Sequence, residues 1–138
     1  MAKNTVKLLG EGVQNEDDKA AEAILPGHLV TFDSNGDLVK HATAGGAAAN
    51  TYAIEREEMG DDIDDEYAIG DAVKVHHFGP GCRIYAPIPS GQNLVKGDFL
   101  ESAGDGTLRK YASGVRLARS LDTTGAITTL TRVRVEII

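Results

Sequence analysis

The chain has 138 residues but only one cysteine, no tryptophan, three phenylalanines and four tyrosines. With Cys82 alone, no intramolecular disulfide can form, and an intracellular site of synthesis is the expectation. Met1 is followed by AKNTVK, which lacks an apolar h-region, so no secretory signal is expected. No apolar run approaches the roughly 18 residues of a membrane-spanning helix. Cations are also scarce: 14 Lys and Arg stand against 21 Asp and Glu, a formal net charge of -7. Phosphate binding needs a positive surface, so no nucleic-acid partner is expected.

What is present is glycine, 16 residues of it, and an aliphatic set of Val, Ile and Leu. A chain of this length buries about two-thirds of its unfolded surface. It therefore reads as one domain that needs neither metal nor disulfide. Many turns and a modest aliphatic core follow.

Two stretches stand out. PGHLVTFDSNGDLVKHA (26–42) reads as two strands about an Asn-Gly turn, whose central positions favour positive φ. KGDFLESAGDGTLRKYA (96–112) repeats it seventy residues later. Gly27, Gly36, Leu38, Lys40 and Ala42 return as Gly97, Gly106, Leu108, Lys110 and Ala112. Duplication and convergent turn chemistry both account for five identities in seventeen positions.

Along the rest of the chain, NTVKLL (4–9) predicts a short strand. The polar stretch after it predicts a short helix capped by Asn15 with Asp18, ending near Ile24 before Pro26. Residues 1–22 read as an arm that is mobile until something holds it, and residues 23–138 as the body. ATAGGAAAN (42–50) is a loop. TYAIERE and the alternating AVKVHHF are strands, and GPG (79–81) turns the chain. CRIYAPIP is a strand whose two prolines confine its end to an edge or a connection. EEMGDDIDDEYAIGD (57–71) is acidic and exposed, with Ile63 its one clear apolar position. In the last strand Val133, Val135 and Ile137 face one way, and Arg132, Arg134 and Glu136 the other. About eight short strands result, and their spacing predicts an all-β barrel or sandwich.

Candidate chemistry is thin. Zinc needs three or four converging ligands. His76 and His77 are neighbours on a strand and point to opposite faces, so only one can join Cys82, with His28 or His41 completing the set. The plainer reading is four ordinary histidines. Asp61, Asp62, Asp64, Asp65 and Glu66 lack calcium-loop spacing and read as a solvated loop. DSNGD (33–37) imitates a calcium loop but puts Leu38 where glycine is required. No GxSxG, Walker motif or GxGxxG occurs, and a lone Cys82 beside Arg83 reads as packing. No catalytic residue, cofactor or metal is expected. Arg109, Lys110, Arg116, Arg119, Arg132 and Arg134 lie in the last thirty residues, while most acids precede residue 72. That suits contact with a large protein surface or between copies, and equally the solvent face of alternating strands.

In order, these pieces resemble the head decoration (capsid cement) proteins of tailed bacteriophages and related viruses. The resemblance rests on a polar arm, AILPGHLVTFDSNGDLVKHATAGG, YAIEREEMGDDIDDEYAIGDAVKVHHFGPG, KGDFLESAGDGTLRK and the closing GVRLARSLDTTGAITTLTRVRVEII. It implies a small β-barrel or β-tulip with an extended arm and no enzymatic activity. Such a protein, made in the host cytoplasm, binds the outer surface of the expanded head. Its implied partners are the major capsid protein and its own copies, commonly as a homotrimer, with no nucleic acid or membrane. Asn4, Thr5, Val6, Lys7, Leu8 and Leu9 are the candidate capsid-binding residues, adding a strand to an exposed capsid edge. The rival readings are a small β-barrel ligand- or metal-binding domain and a tail or baseplate component.

Overall fold

The structure, a computed structural model, describes residues 5–56 and 59–138. Asn4 and part of the acidic stretch lie outside the described residues. Thirteen short strands form, and no α-helix is present among the described residues. They are β1 (Lys7–Leu9), β2 (Val13–Asn15), β3 (Val30–Phe32), β4 (Leu38–Lys40), β5 (Thr51–Ala53), β6 (Val75–His77) and β7 (Arg83–Ile88), then β8 (Asn93–Leu94), β9 (Phe99–Ser102), β10 (Leu108–Lys110), β11 (Ala118–Ser120), β12 (Gly125–Ala126) and β13 (Thr131–Ile137). The count exceeds the expected eight because two- and three-residue pairings such as β8–β12 carry no alternation to read.

A six-stranded antiparallel sheet runs β1-β7-β13-β11-β9-β10. A second sheet, β2-β6-β5, and the pairs β3-β4 and β8-β12 complete the architecture. The protein is all-β, as expected. The larger sheet is open in its hydrogen bonding, with β1 and β10 at its edges, so no closed barrel is found among the described residues.

The alternation of β13 turns Val133, Val135 and Ile137 inward, as its sequence requires. They join Ile84, Ala86 and Ile88 of β7, Leu100 of β9 and Ala118 of β11 in the main core, closed over by Tyr52, Ile54 and Phe78. A second cluster, Ile24, Val30, Leu38, Tyr67, Val73 and Val75, lies under the β3–β4 hairpin. Pro87 fits as its sequence context demands. The N–H of Tyr85 reaches Val6, so the missing donor two residues on falls on the same side. There Gly27 approaches so closely that a Cβ would lie 2.7 Å from the proline Cδ.

The two similar hairpins reuse the same backbone contacts. Asp33 N–H donates to Asp37, and Ala103 N–H to Thr107. His41 N–H donates to Leu29, and Tyr111 N–H to Phe99. Gly27 and Gly97 both have φ of 97°, and Gly36 and Gly106 have φ of 80° and 85°. The expected two-residue Asn-Gly turn does not form. The loop spans 33–37, and only Gly36 within it has positive φ. The Asp33 carboxylate accepts from the N–H groups of Asn35 and Asp37, and this side-chain closure replaces a type I′ turn. The tip of the second hairpin is lodged against the first, where Leu29 N–H donates to Gly106 and Gly106 N–H to His41.

The helix expected between Asn15 and Ile24 does not form. Asn15 accepts from Asp17 N–H in a local turn, and Lys19 and Ala20 bridge to Ala72 and Leu38. Competition from these side-chain and inter-segment bonds removes the helical alternative. What holds residues 5–20 is the body of the same chain. β1 pairs with β7, β2 with β6, and Val6 and Ala20 are buried.

Candidate interaction surfaces and polar clusters

The polar groups most able to do chemistry are tied into the scaffold. Glu101 is 1 % exposed. One carboxylate oxygen accepts from the N–H groups of Ala112, Ser113 and Gly114 at 2.9, 3.3 and 3.0 Å. The other accepts from Arg109 Nε and Nη2 at 3.0 and 2.7 Å. The Ala112 N–H leads these contacts, which together hold the carboxyl down at about 2. This anion organises the loop after β10, and Gly45 packs on the same loop through Val115 N–H. Nothing in the sequence pattern marked Glu101, because it sits on a strand position that reads as solvent-facing.

His41 and Ser102 form a histidine–hydroxyl pair at 2.7 Å. His41 Nε2 donates to the Ala47 carbonyl, and in the neutral ring Nδ1 then accepts from the Ser102 hydroxyl. Ser102 is wholly buried and also accepts from Gly104 N–H. It cannot meet a substrate, and the pair anchors the 42–47 loop. His28 Nδ1 accepts from Leu25 N–H, and burial above all pushes this ring down to about 4. His76 is buried against Gln14, and its Nδ1 has no partner; burial lowers its pKa. His77 is exposed and bonds Thr51, so the two neighbouring rings do face opposite ways. Cys82 is buried and donates toward the Glu11 carbonyl. Among the described residues no three metal-ligating side chains converge.

The outer face of β7, β13 and β11 carries a row of charge that the alternation of β13 half revealed. Glu136 stands opposite Arg83 on one side and Arg119 on the other. It accepts from them at 3.2 and 2.6 Å, and Arg119 first, then Arg83, lower its pKa. One step along, Arg134 binds Asp122 at 2.5 Å. One step further, Arg132 donates to the Ile63 carbonyl at 2.6 Å and lies 3.9 Å from Asp64. Arg83, Lys96, Arg119 and Arg134 line a groove of about 310 Å³. An adjoining hollow of about 260 Å³ is lined by Leu8, Leu9, Arg83, Leu121 and Arg134.

The candidate arm residues fall as follows. Val6 is buried, with its N–H donated to Glu55 at 3.1 Å. Thr5 bonds the Lys7 carbonyl, and Lys7 pairs with Glu11 at 3.5 Å. Leu8 is half-buried, and Leu9 is 53 % exposed at the sheet edge. A third surface, unmarked by any residue pattern, is an apolar groove of about 350 Å³ lined by Val13, Phe32, Leu38, Thr51, Val75 and His77. Elsewhere Arg116 is stacked between the rings of Phe99 and Tyr111, at 4.6 and 4.8 Å. No protein-family model matches the chain, and no curated protein matches it.

Proposed function

We propose that this chain is a structural part of a virus, a decoration protein that binds the outer surface of the expanded icosahedral head and stabilises it by bridging major capsid protein subunits. The observation that carries the reading is β1. It is an edge strand, paired only with β7 among the described residues, and it presents Leu9 to solvent at a hollow that Leu8, Leu9 and Leu121 share with Arg83 and Arg134. Such an edge accepts another chain's strand without unfolding anything. Commitment of Glu101, His41 and Ser102 to the scaffold supports a part that acts through surface rather than through turnover. Two larger sheet layers around shared cores also suit a tulip-like body. Association as a homotrimer, formed on the head, belongs to the same proposal.

Cement of this kind works by mass action: each copy that binds only the expanded shell lowers its free energy, and many weak contacts sum. The test is co-sedimentation and imaging with expanded empty heads of the cognate virus. Removing residues 2–20 would strip Val6 and Ala20 from the core, so the cleaner perturbation is Leu9→Asp. Wild-type protein should decorate the heads and raise their survival on heating. L9D should stay folded and attach less. Heads left bare by the wild-type protein would remove the proposal, and undiminished attachment of L9D would remove β1 from it.

A further inference from the structure

We propose that the cationic groove on the outer sheet face is an interface between copies of this chain, and that its occupant is the acidic segment 59–69 of a second copy. This goes beyond the capsid reading and does not depend on it.

The groove concentrates charge of the minority sign. Arg83, Lys96, Arg119 and Arg134 face it, in a chain whose net charge is -7. Their carboxylate neighbours are Glu136, shared by Arg83 and Arg119, and Asp122, on Arg134. Two acids for four cations leave an excess of two positive charges, and Lys96 has no carboxylate within 4 Å among the described residues. The adjoining hollow adds apolar surface from Leu8, Leu9 and Leu121.

The segment 59–69 has the complementary make-up. Asp62, Asp65 and Glu66 are exposed, and among the described residues none has a cationic partner within 4 Å. Met59 and Ile69 flank them, 68 % and 74 % exposed. Ile63 and Tyr67 are buried, so the segment is a fixed ridge rather than a free tail. An acidic ridge with an apolar residue at each end matches a cationic groove with an apolar end.

The placement of the two surfaces also fits a second copy. Arg132 holds the Ile63 carbonyl, and Arg134, two residues along β13, lines the groove. Ridge and groove are therefore neighbours on one sheet face, about 7 Å apart along the strand. Adjacent patches of opposite sign on one face meet their counterparts twice when a second copy is turned about a two-fold axis. Each copy then offers its ridge to the other's groove.

The test uses the full chain and sedimentation velocity. Near 0.1 M salt, where the Debye length is about 10 Å, long-range repulsion between the acidic molecules is damped and contact pairs persist. Reversible pairing is expected there and should vanish near 1 M salt. Lys96→Glu and Glu66→Lys each alter an exposed side chain without an ion pair, so folding should be kept. Each should weaken pairing roughly tenfold, because like charges then face each other. The double variant K96E/E66K, which swaps the charges, should restore it. A monomer at every concentration and salt, an assembly indifferent to salt, or a double variant as weak as either single one would each overturn the proposal. Loss of head binding with pairing intact would instead fault only the capsid reading.

Discussion

Glu101→Gln isolates the most heavily bonded group in the molecule. The substitution keeps volume and shape and removes the charge. The amide oxygen still serves the N–H groups of Ala112, Ser113 and Gly114, but its NH₂ then faces the Arg109 guanidinium, donor against donor. Breaking a buried ion pair on one side costs about 3–5 kcal/mol. Arg109 is partly open to water and escapes some of that penalty, so the lower end, about 3 kcal/mol, is expected. For a domain of this length that lowers Tm by roughly 10 °C. The acid dependence supplies an independent check. The carboxyl is held at about 2 in the folded state against 4.5 without its partners. Its contribution is therefore fully present above pH 4.5 and is lost as pH falls toward 2. Thermal melts followed by circular dichroism at pH 7 and pH 3 should show the gap between wild type and E101Q shrinking to about half or less at pH 3. A difference under about 1 kcal/mol at pH 7, or a gap that does not narrow in acid, would refute the assignment of Glu101 as the anchor of the 112–114 loop.

The paired hairpins and the buried imidazole yield two further expectations. Gly36→Ala meets only an unfavourable φ, with open space around it, and should cost about 1–2 kcal/mol. Gly106→Ala has the same φ problem and in addition brings its Cβ to 3.0 Å from Lys40 Cγ and 3.1 Å from His28 Cγ, so denaturant titration should show it to be the more damaging. Equal losses would contradict the docking of the second hairpin tip on the first. His28, pushed down to about 4 chiefly by burial, takes up a proton in the unfolded chain near pH 6.5 but not in the folded one. Stability should therefore fall as pH drops from 6.5 toward 4, by on the order of 3 kcal/mol from this group. His76 acts in the same direction, so His28→Gln should flatten most but not all of the slope between pH 6.5 and 4.5. An unchanged slope would show that His28 is not the group responsible.

Local chemistry was legible in the residues themselves. Period-two patterning placed Val133, Val135 and Ile137 inside and the charges of β13 outside, because successive strand side chains alternate whatever the sheet around them. Glycines seventy residues apart took matching left-handed conformations because a turn's φ is a property of the few residues in it. The exposure of the acidic segment followed from solvation alone. Tertiary structure decided everything that required distant segments to meet. It turned the expected helix after Asn15 into paired backbone, because inter-strand partners at Leu38 and Ala72 were available. It buried Glu101 on a strand that reads as half-exposed, because the 112–114 loop folds its N–H groups onto that carboxylate. It gathered Arg83, Lys96, Arg119 and Arg134 into one groove, because antiparallel register, not sequence proximity, sets which charges share a face.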